Sequence, residues 1–303
     1  MPIPDFQSIM LPLLELASDQ EVHTTQEAYE RLAAHFRLSD SERNELLPSG
    51  KQPLFENRVL WAKFYLDRAG LLESPSRGKF RIIADGIRVL SSNPGALNEK
   101  FLLQFQKFAE WRRPGKAGVR DEDKGFGPDY ARTPEEILET SYVALRDTLT
   151  RDLLERIKSC SPRFFELLVI DLLLKMGYGG SREDAGQAIG RTGDGGIDGI
   201  IKEDKLGLDA IYVQAKKWEG DVGRPDVQKF AGSLDSHHAR KGVMIATSQF
   251  TNDAKDFVRN IEKKIILIDG YDLAQLMIDH DVGVSTVNTY AIKKIDSDYF
   301  EEE

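Results

Sequence analysis

Asp198 and the tripeptide Gln214-Ala215-Lys216 are the residues of this chain best suited to chemistry. Asp198 lies in a glycine-rich turn, Thr192 to Ile200 (TGDGGIDGI), and Gln214 follows sixteen positions later in a strand-like run, Ile211 to Lys216. In an extended strand Ile211, Val213 and Ala215 take one face and Tyr212, Gln214 and Lys216 the other. One face packs. The other carries an amide oxygen and an ammonium about 7 Å apart, two residues of strand rise. A carboxylate on one strand facing a polar-x-Lys pair on the next can hold a Mg²⁺ ion with a charge-stabilising lysine beside it, the requirement for phosphodiester hydrolysis. The same turn could cradle a phosphate, but its carboxylates Asp194 and Asp198 would repel one unless a cation intervenes.

A second acid stands out by its surroundings. The stretch Pro162 to Met176 predicts a buried helix, apolar nearly all round (Phe164, Phe165, Leu167 to Ile170, Leu172 to Leu174), with Glu166 in its middle. A carboxylate buried without a partner costs several kcal/mol, so Glu166 needs a cation, a donor or solvent. A metal site shared with Asp198 would supply the first, and a nearby arginine such as Arg163 is the alternative.

The rest of the chain must position these groups, and its 303 residues suffice for two domains with their own cores. A hydrophobic content of 41% and a charged content of 30% suit a soluble globular protein. No apolar run approaches the roughly eighteen residues needed to cross a bilayer. The start, MPIPDFQSIM, lacks the features of a signal peptide, so the cytoplasm is expected. The single cysteine, Cys160, excludes an internal disulfide and a cysteine zinc site. The five histidines show no metal-ligand spacing, and the pair His237-His238 reads as a helix end. The absence of a GxxxxGK[ST] run argues against a nucleotide cofactor.

Net charge is −9, yet residues 57 to 92 hold seven basic and three acidic side chains, whereas residues 1 to 56 hold four and ten. A local basic face on an acidic chain is compatible with DNA contact. Apolar spacing over Ile9 to Leu16, Ala28 to Phe36 and Val59 to Leu66 predicts three helices, the third capped by Asn57 and stopped by Gly70. Leu71 to Glu73 and Lys79 to Ile83 flank the turn SPSRG as a two-stranded wing. This order is that of a winged helix-turn-helix over residues 1–92. Helix three would offer Arg58, Lys63 and Arg68 to DNA, and the wing Arg77, Lys79 and Arg81. A winged helix that binds protein is the alternative. Tyr29 and Trp61 are assigned to the core.

Residues 93–134 read as a linker, looser from 109 on through Pro114, Gly115, Gly118, Gly125, Gly127 and Pro128. Thr133 and Pro134 then open a helix to about Ser159, with Leu138, Tyr142, Leu145, Leu149, Leu153 and Ile157 along one stripe. The stripe docks on its own domain or forms a homodimer seam. Beyond it, strands are expected at 196–201, 211–217, 242–247 and 265–269, and helices at 224–236, 251–262 and 271–280. Residues 135–303 thus form an α/β domain, a mixed sheet flanked by helices, ending in a frayed acidic tail.

The stretches SPRFFELLVIDLLLKMGYGG, GRTGDGGIDGII, DKLGLDAIYVQAKKW and VGRPDVQKFAGSL resemble the Mrr family of restriction endonucleases, and SRGKFRI matches that family's wing region. The resemblance extends across the whole chain. It implies the type IV architecture, a winged helix followed by a PD-(D/E)xK nuclease domain. Position by position, Asp198 matches the metal-bridging aspartate, Lys216 the catalytic lysine and Glu166 the helix glutamate that helps hold the metal. Gln214 stands where most PD-(D/E)xK enzymes have a carboxylate, a glutamine typical of the Mrr branch and a weaker ligand for Mg²⁺. The implied metal set is Asp198, Gln214 or the Ala215 carbonyl, and Glu166, with Mn²⁺ able to replace Mg²⁺. The implied substrate is double-stranded foreign DNA carrying modified, in particular methylated, bases. Cutting both strands calls for a homodimer or tetramer. Competing readings are a winged-helix regulator with a decayed nuclease domain and a nuclease that resolves junctions.

Overall fold

A computed structural model describes residues 2–112, 132–178, 196–202, 209–296 and 299. The expectations for Thr192 to Gly195, with Asp194, for the linker's Pro114 to Pro128, and for most of the acidic tail lie outside the described residues. The chain divides into two compact units, Met1–Ala144 with Lys294–Glu303, and Leu145–Lys293.

In the first unit the order is α1 (Phe6–Leu16), β1 (His23–Thr24), α2 (Thr25–His35), α3 (Asp40–Arg43), α4 (Leu54–Arg68), β2 (Leu72–Glu73), β3 (Lys79–Ile82), α5 (Ala84–Ser91), α6 (Glu99–Leu102) and α7 (Gln106–Arg112). Local chemistry sets the starts. Asp5 caps α1 by accepting from the Gln7 and Ser8 amides at 2.9 and 3.0 Å, and Thr24 caps α2. Gly70, at φ +72°, ends α4 in the left-handed conformation that glycine adopts without strain. The three expected helices are present as α1, α2 and α4. The wing gains a third strand, in the order β1-β3-β2, all antiparallel.

Two expectations here need correction. Asn57 does not cap α4, which begins at Leu54 after Pro53; it is buried inside the helix and accepts the Thr133 hydroxyl at 2.7 Å. The segment read as linker from 93 opens with α6 and α7. Leu97, Leu102 and Phe108 are buried in the same core as Phe6, Leu13, Phe55, Leu66 and Phe80. Tyr29 and Trp61 pack against that core as expected.

His23 is buried on β1, with Nε2 2.8 Å from Asp19 and Nδ1 3.1 Å from Glu27, and its ring lies against Phe80. Burial pulls its pKa down, but the hydrogen bonds and charges of Asp19 and Glu27 outweigh that and raise it above the ordinary 6.5. The imidazolium is therefore favoured in the native state. Its contribution is complete below pH 6.5 and disappears as pH rises through the higher native value. Wild type should lose thermal stability as pH rises above 6.5, and His23→Gln should flatten that slope. Parallel melting slopes for the two proteins would refute it.

The second unit contains the rest of α8 (Pro134–Ser159), α9 (Pro162–Lys175), β4 (Gly199–Lys202), β5 (Ala210–Lys216), α10 (Arg224–Ser236), β6 (Lys241–Ala246), α11 (Asn252–Arg259), β7 (Lys264–Ile268) and α12 (Gly270–Asp279). The expected alternation is present with shifts of one to three residues at most ends. Its sheet has the order β4-β5-β6-β7; β4 runs antiparallel to β5, and β5, β6 and β7 are parallel. One face buries Ile201, Val213, Val243, Ile245 and Ile268 with Ile211 and Ala215 beside them, against α8, α9 and α12. The other buries Met244, Ala246 and Ile265 against Val227, Phe230 and Leu234 of α10 and Ala254 of α11. His237 is the C-terminal cap of α10, its Nδ1 2.9 Å from the Ser233 carbonyl.

Helix α9 is not apolar-packed all round. Phe165, Val169, Ile170, Leu172 and Leu173 are buried, but Phe164 and Leu167 are exposed, because only one side of the helix faces the sheet. Glu166 stands at the border and is half-buried, so the argument from complete burial fails. The stripe on α8 divides likewise. Leu153 and Ile157 are buried, while Leu138, Tyr142, Leu145 and Leu149 are exposed. Docking on its own domain thus accounts for the last turns only.

Candidate active site

The antiparallel pairing of β4 with β5 sets Gly199 opposite Val213, and the ladder extends one step further, since the Asp198 amide donates to the Val213 carbonyl at 2.9 Å. Asp198 is thereby fixed at the mouth of the hairpin. Its Oδ2 accepts from the Ala215 amide at 2.8 Å, which ties the carboxylate to the Gln-Ala-Lys strand. Gly196, at φ +98°, lies so close that a Cβ there would come within 2.6 Å of Gln214 Nε2. Gly199 admits Ile170 of α9, whose Cδ1 would be 2.6 Å from an added Cβ. Ile170 is one turn beyond Glu166, so this close approach brings Glu166 toward Asp198.

Electrostatics agree with that placement. Burial raises the Asp198 pKa, the Ala215 hydrogen bond opposes the rise, and the Glu166 charge adds to it. Two carboxylates near one another in a partly dehydrated place favour a cation between them. Among the described residues no group of three or more His, Cys, Asp or Glu could hold a metal ion. An ion here would therefore lean on Asp198, Glu166, the Gln214 amide or Ala215 carbonyl, and water. That all-oxygen set fits Mg²⁺, which keeps several waters and uses one or two carboxylates.

Lys216, the last residue of β5, engages different partners. Its ammonium is ion-paired with Asp226 in the first turn of α10 and sits 3.9 Å from the centre of the Trp218 ring. The polar face of β5 is shorter than alternation suggested, because Tyr212 packs on the α10 side, 5.5 Å from the His237 ring. Only its end, Gln214 and Lys216, is left for chemistry.

Comparison with known proteins identifies the family. A restriction endonuclease family model, Mrr_cat, matches residues 157–277, and the Mrr N-terminal domain model matches residues 6–92. The type IV methyl-directed restriction enzyme EcoKMrr of Escherichia coli (strain K12) is 38% identical over 310 residues, covering 99% of this chain and 100% of the relative. The chain belongs to the Mrr family. Solved structures also match, two of them restriction endonucleases. The DNA modification-dependent restriction endonuclease AspBHI has TM-score 0.34 and 20% identity, over 45% of this chain and 36% of its own. The MspJI restriction endonuclease, in complex with a 27-mer oligonucleotide, has TM-score 0.33 and 16% identity, over 66% and 47%. At those scores the likeness carries no weight of its own.

In the amino-terminal domain of this Mrr-family chain, the six basic residues assigned to DNA differ in availability. Arg58 is a correction. Its guanidinium is bidentate to Glu136 at 2.9 and 2.8 Å and donates to the Ile3 and Pro4 carbonyls, with 13% of the side chain exposed. It cannot reach a phosphate without breaking those bonds. Lys63, whose pKa burial lowers, donates to the Ser74 hydroxyl at 2.9 Å. Arg81 pairs with Glu73 across the wing. Arg68 is exposed over the Phe64 ring, and Arg77 and Lys79 are exposed on the wing. Sequence reasoning missed Asp226 and Trp218 as neighbours of Lys216. The available signal was an aspartate three residues after an uncapped Gly223, where it would normally serve its own helix.

Proposed function

We propose that this Mrr-family protein is a divalent-metal-dependent endonuclease that hydrolyses phosphodiester bonds of modified, in particular methylated, double-stranded DNA. The observation that carries the reading is Asp198, hydrogen-bonded to Ala215 and electrostatically coupled to Glu166, at the end of the strand that bears Gln214 and Lys216. Asp198, Glu166, and Gln214 or the Ala215 carbonyl would hold Mg²⁺, or Mn²⁺ in its place. Bound there, the ion supplies Lewis acidity toward a phosphate oxygen and makes water a better nucleophile at neutral pH. The Lys216 ammonium offsets charge that develops on the non-bridging oxygens and orients the attacking water. Arg68, Arg77 and Lys79 contact the DNA backbone. Methylated-base preference follows from the methyl-directed relative, and a cytoplasmic dimer or tetramer, with two sites for two strands, completes the reading.

The test is cleavage of methylated and unmethylated plasmid, and of a branched junction, with Mg²⁺, with Mn²⁺ or with chelator. Metal-dependent cutting confined to methylated plasmid is expected. Cutting of the junction alone, or of no DNA under any ion, would defeat the proposal.

A further inference from the structure

We propose that Asp226 is a positioning residue for Lys216, holding its ammonium against the Trp218 ring so that the lysine is already placed when DNA arrives. The inference rests on the nuclease reading above. Lysine at the end of a strand has a flexible four-carbon stem, and an unanchored ammonium would sample many rotamers. Two fixed groups remove that freedom: the Asp226 carboxylate in an ion pair, and the indole face at 3.9 Å as a cation–π partner.

Both anchors are themselves fixed. Thr247, 2% exposed, accepts the Trp218 amide at 3.0 Å and donates its hydroxyl to the Trp218 carbonyl at 2.8 Å. Its own amide donates to the Lys216 carbonyl at 3.1 Å, so one residue after β6 grips the backbone on both sides of Lys217. Asp226 is held by the start of α10. The Val222 amide donates to Gln249 at 2.8 Å, the Thr251 amide to Val222 at 3.1 Å, and Pro225 stiffens the first turn. At the third helical position an acid normally folds back onto its own helix, yet Gly223 has no side-chain cap and Asp226 is turned to Lys216 instead. The neighbouring cation Arg224 is engaged with Asp253 at 3.7 Å. With side-chain exposures of 17% and 23%, Lys216 and Asp226 meet where water screens them only partly.

The experiment compares wild type, Asp226→Ala, Asp226→Glu and Lys216→Ala in single-turnover cleavage with DNA binding measured in parallel. Asp226→Ala should lower kcat about 10- to 100-fold, with KM for DNA within about twofold, as for a displaced catalytic group. Asp226→Glu should restore most of the loss. In metal-free protein, pulse acetylation of Lys216, read by peptide mass spectrometry, should rise several-fold in Asp226→Ala. A lower melting temperature with unchanged kcat per folded molecule would make Asp226 merely structural and overturn the proposal. A fall in KM with kcat unchanged would make it merely repulsive to DNA, and overturn it equally. If Lys216→Ala cuts like wild type, the nuclease reading itself fails, while the acetylation arm still reads the clamp.

Discussion

Asp198→Ala and Lys216→Ala should each reduce cleavage about a thousandfold or more while leaving DNA affinity within about threefold, since on the proposed reading the first removes a ligand of the ion and the second a charge that faces the reacting phosphate. Asp198→Asn is the sharper variant. Its amide oxygen can still accept from the Ala215 amide, so the hairpin mouth keeps its geometry and only the charge is lost. The Asp198 pKa is raised by burial and by Glu166, so ionisation costs stability in the native state. That cost is absent below the ordinary value of 3.8, grows as pH rises toward the elevated native value, and is complete above it. At neutral pH the metal-free Asp198→Asn protein should therefore melt no lower than wild type, and the difference should vanish in acid. Calorimetry in chelator checks it. Full activity in this variant, or a lower melting temperature at neutral pH, would sink the assignment.

Glu136→Ala should destabilise the amino-terminal unit by about 3 to 5 kcal/mol, the usual cost of leaving one member of a buried ion pair alone. Arg58 and Glu136 expose only 13% and 7% of their side chains, and Glu136 also accepts the Thr133 amide at 3.3 Å. Around the pair, Thr133 bonds Asn57, Glu135 accepts from the Trp61 indole, and Glu139 accepts the Ser49 amide and hydroxyl, each at 2.9 Å. Replacing both charges, Arg58→Met with Glu136→Leu, should recover most of the loss, because the apolar pair leaves no charge without a counterpart. Urea unfolding of the two variants decides it. If Glu136→Ala unfolds at the wild-type midpoint, the pair is not what ties this segment to α4.

Periodicity in the sequence carries most of the scaffold. Period-two alternation over Ile211 to Lys216 assigned Ile211, Val213 and Ala215 to the packed face, where they lie. Capping chemistry placed the start of α8 at Pro134 behind Thr133. Other features were not legible because they depend on distant residues. Arg58 reads as a groove contact because it lies on the third helix, and only the arrival of Glu136, seventy-eight positions away, turns it inward. Leu102 and Phe108 sit in helices too brief to establish a period, and Leu97 in the loop just before them, so their share in the core was hidden. Lys216 was found, but not Asp226 or Trp218, since a crossover helix sets the first and a loop pinned by Thr247 the second.

The narrow space beside Gly196 has one more consequence. Gln214 turns its nitrogen to that glycine, which leaves the oxygen on the other branch of the amide. A carboxylate in this place would present two equivalent ends, but an amide has one end that ligates and one that repels a cation. Half a rotation about a single terminal torsion would therefore exchange the end offered to an ion, with neither net charge nor shape altered. By accepting only a hydrogen at that spot, the backbone makes the room in which the amide head sits.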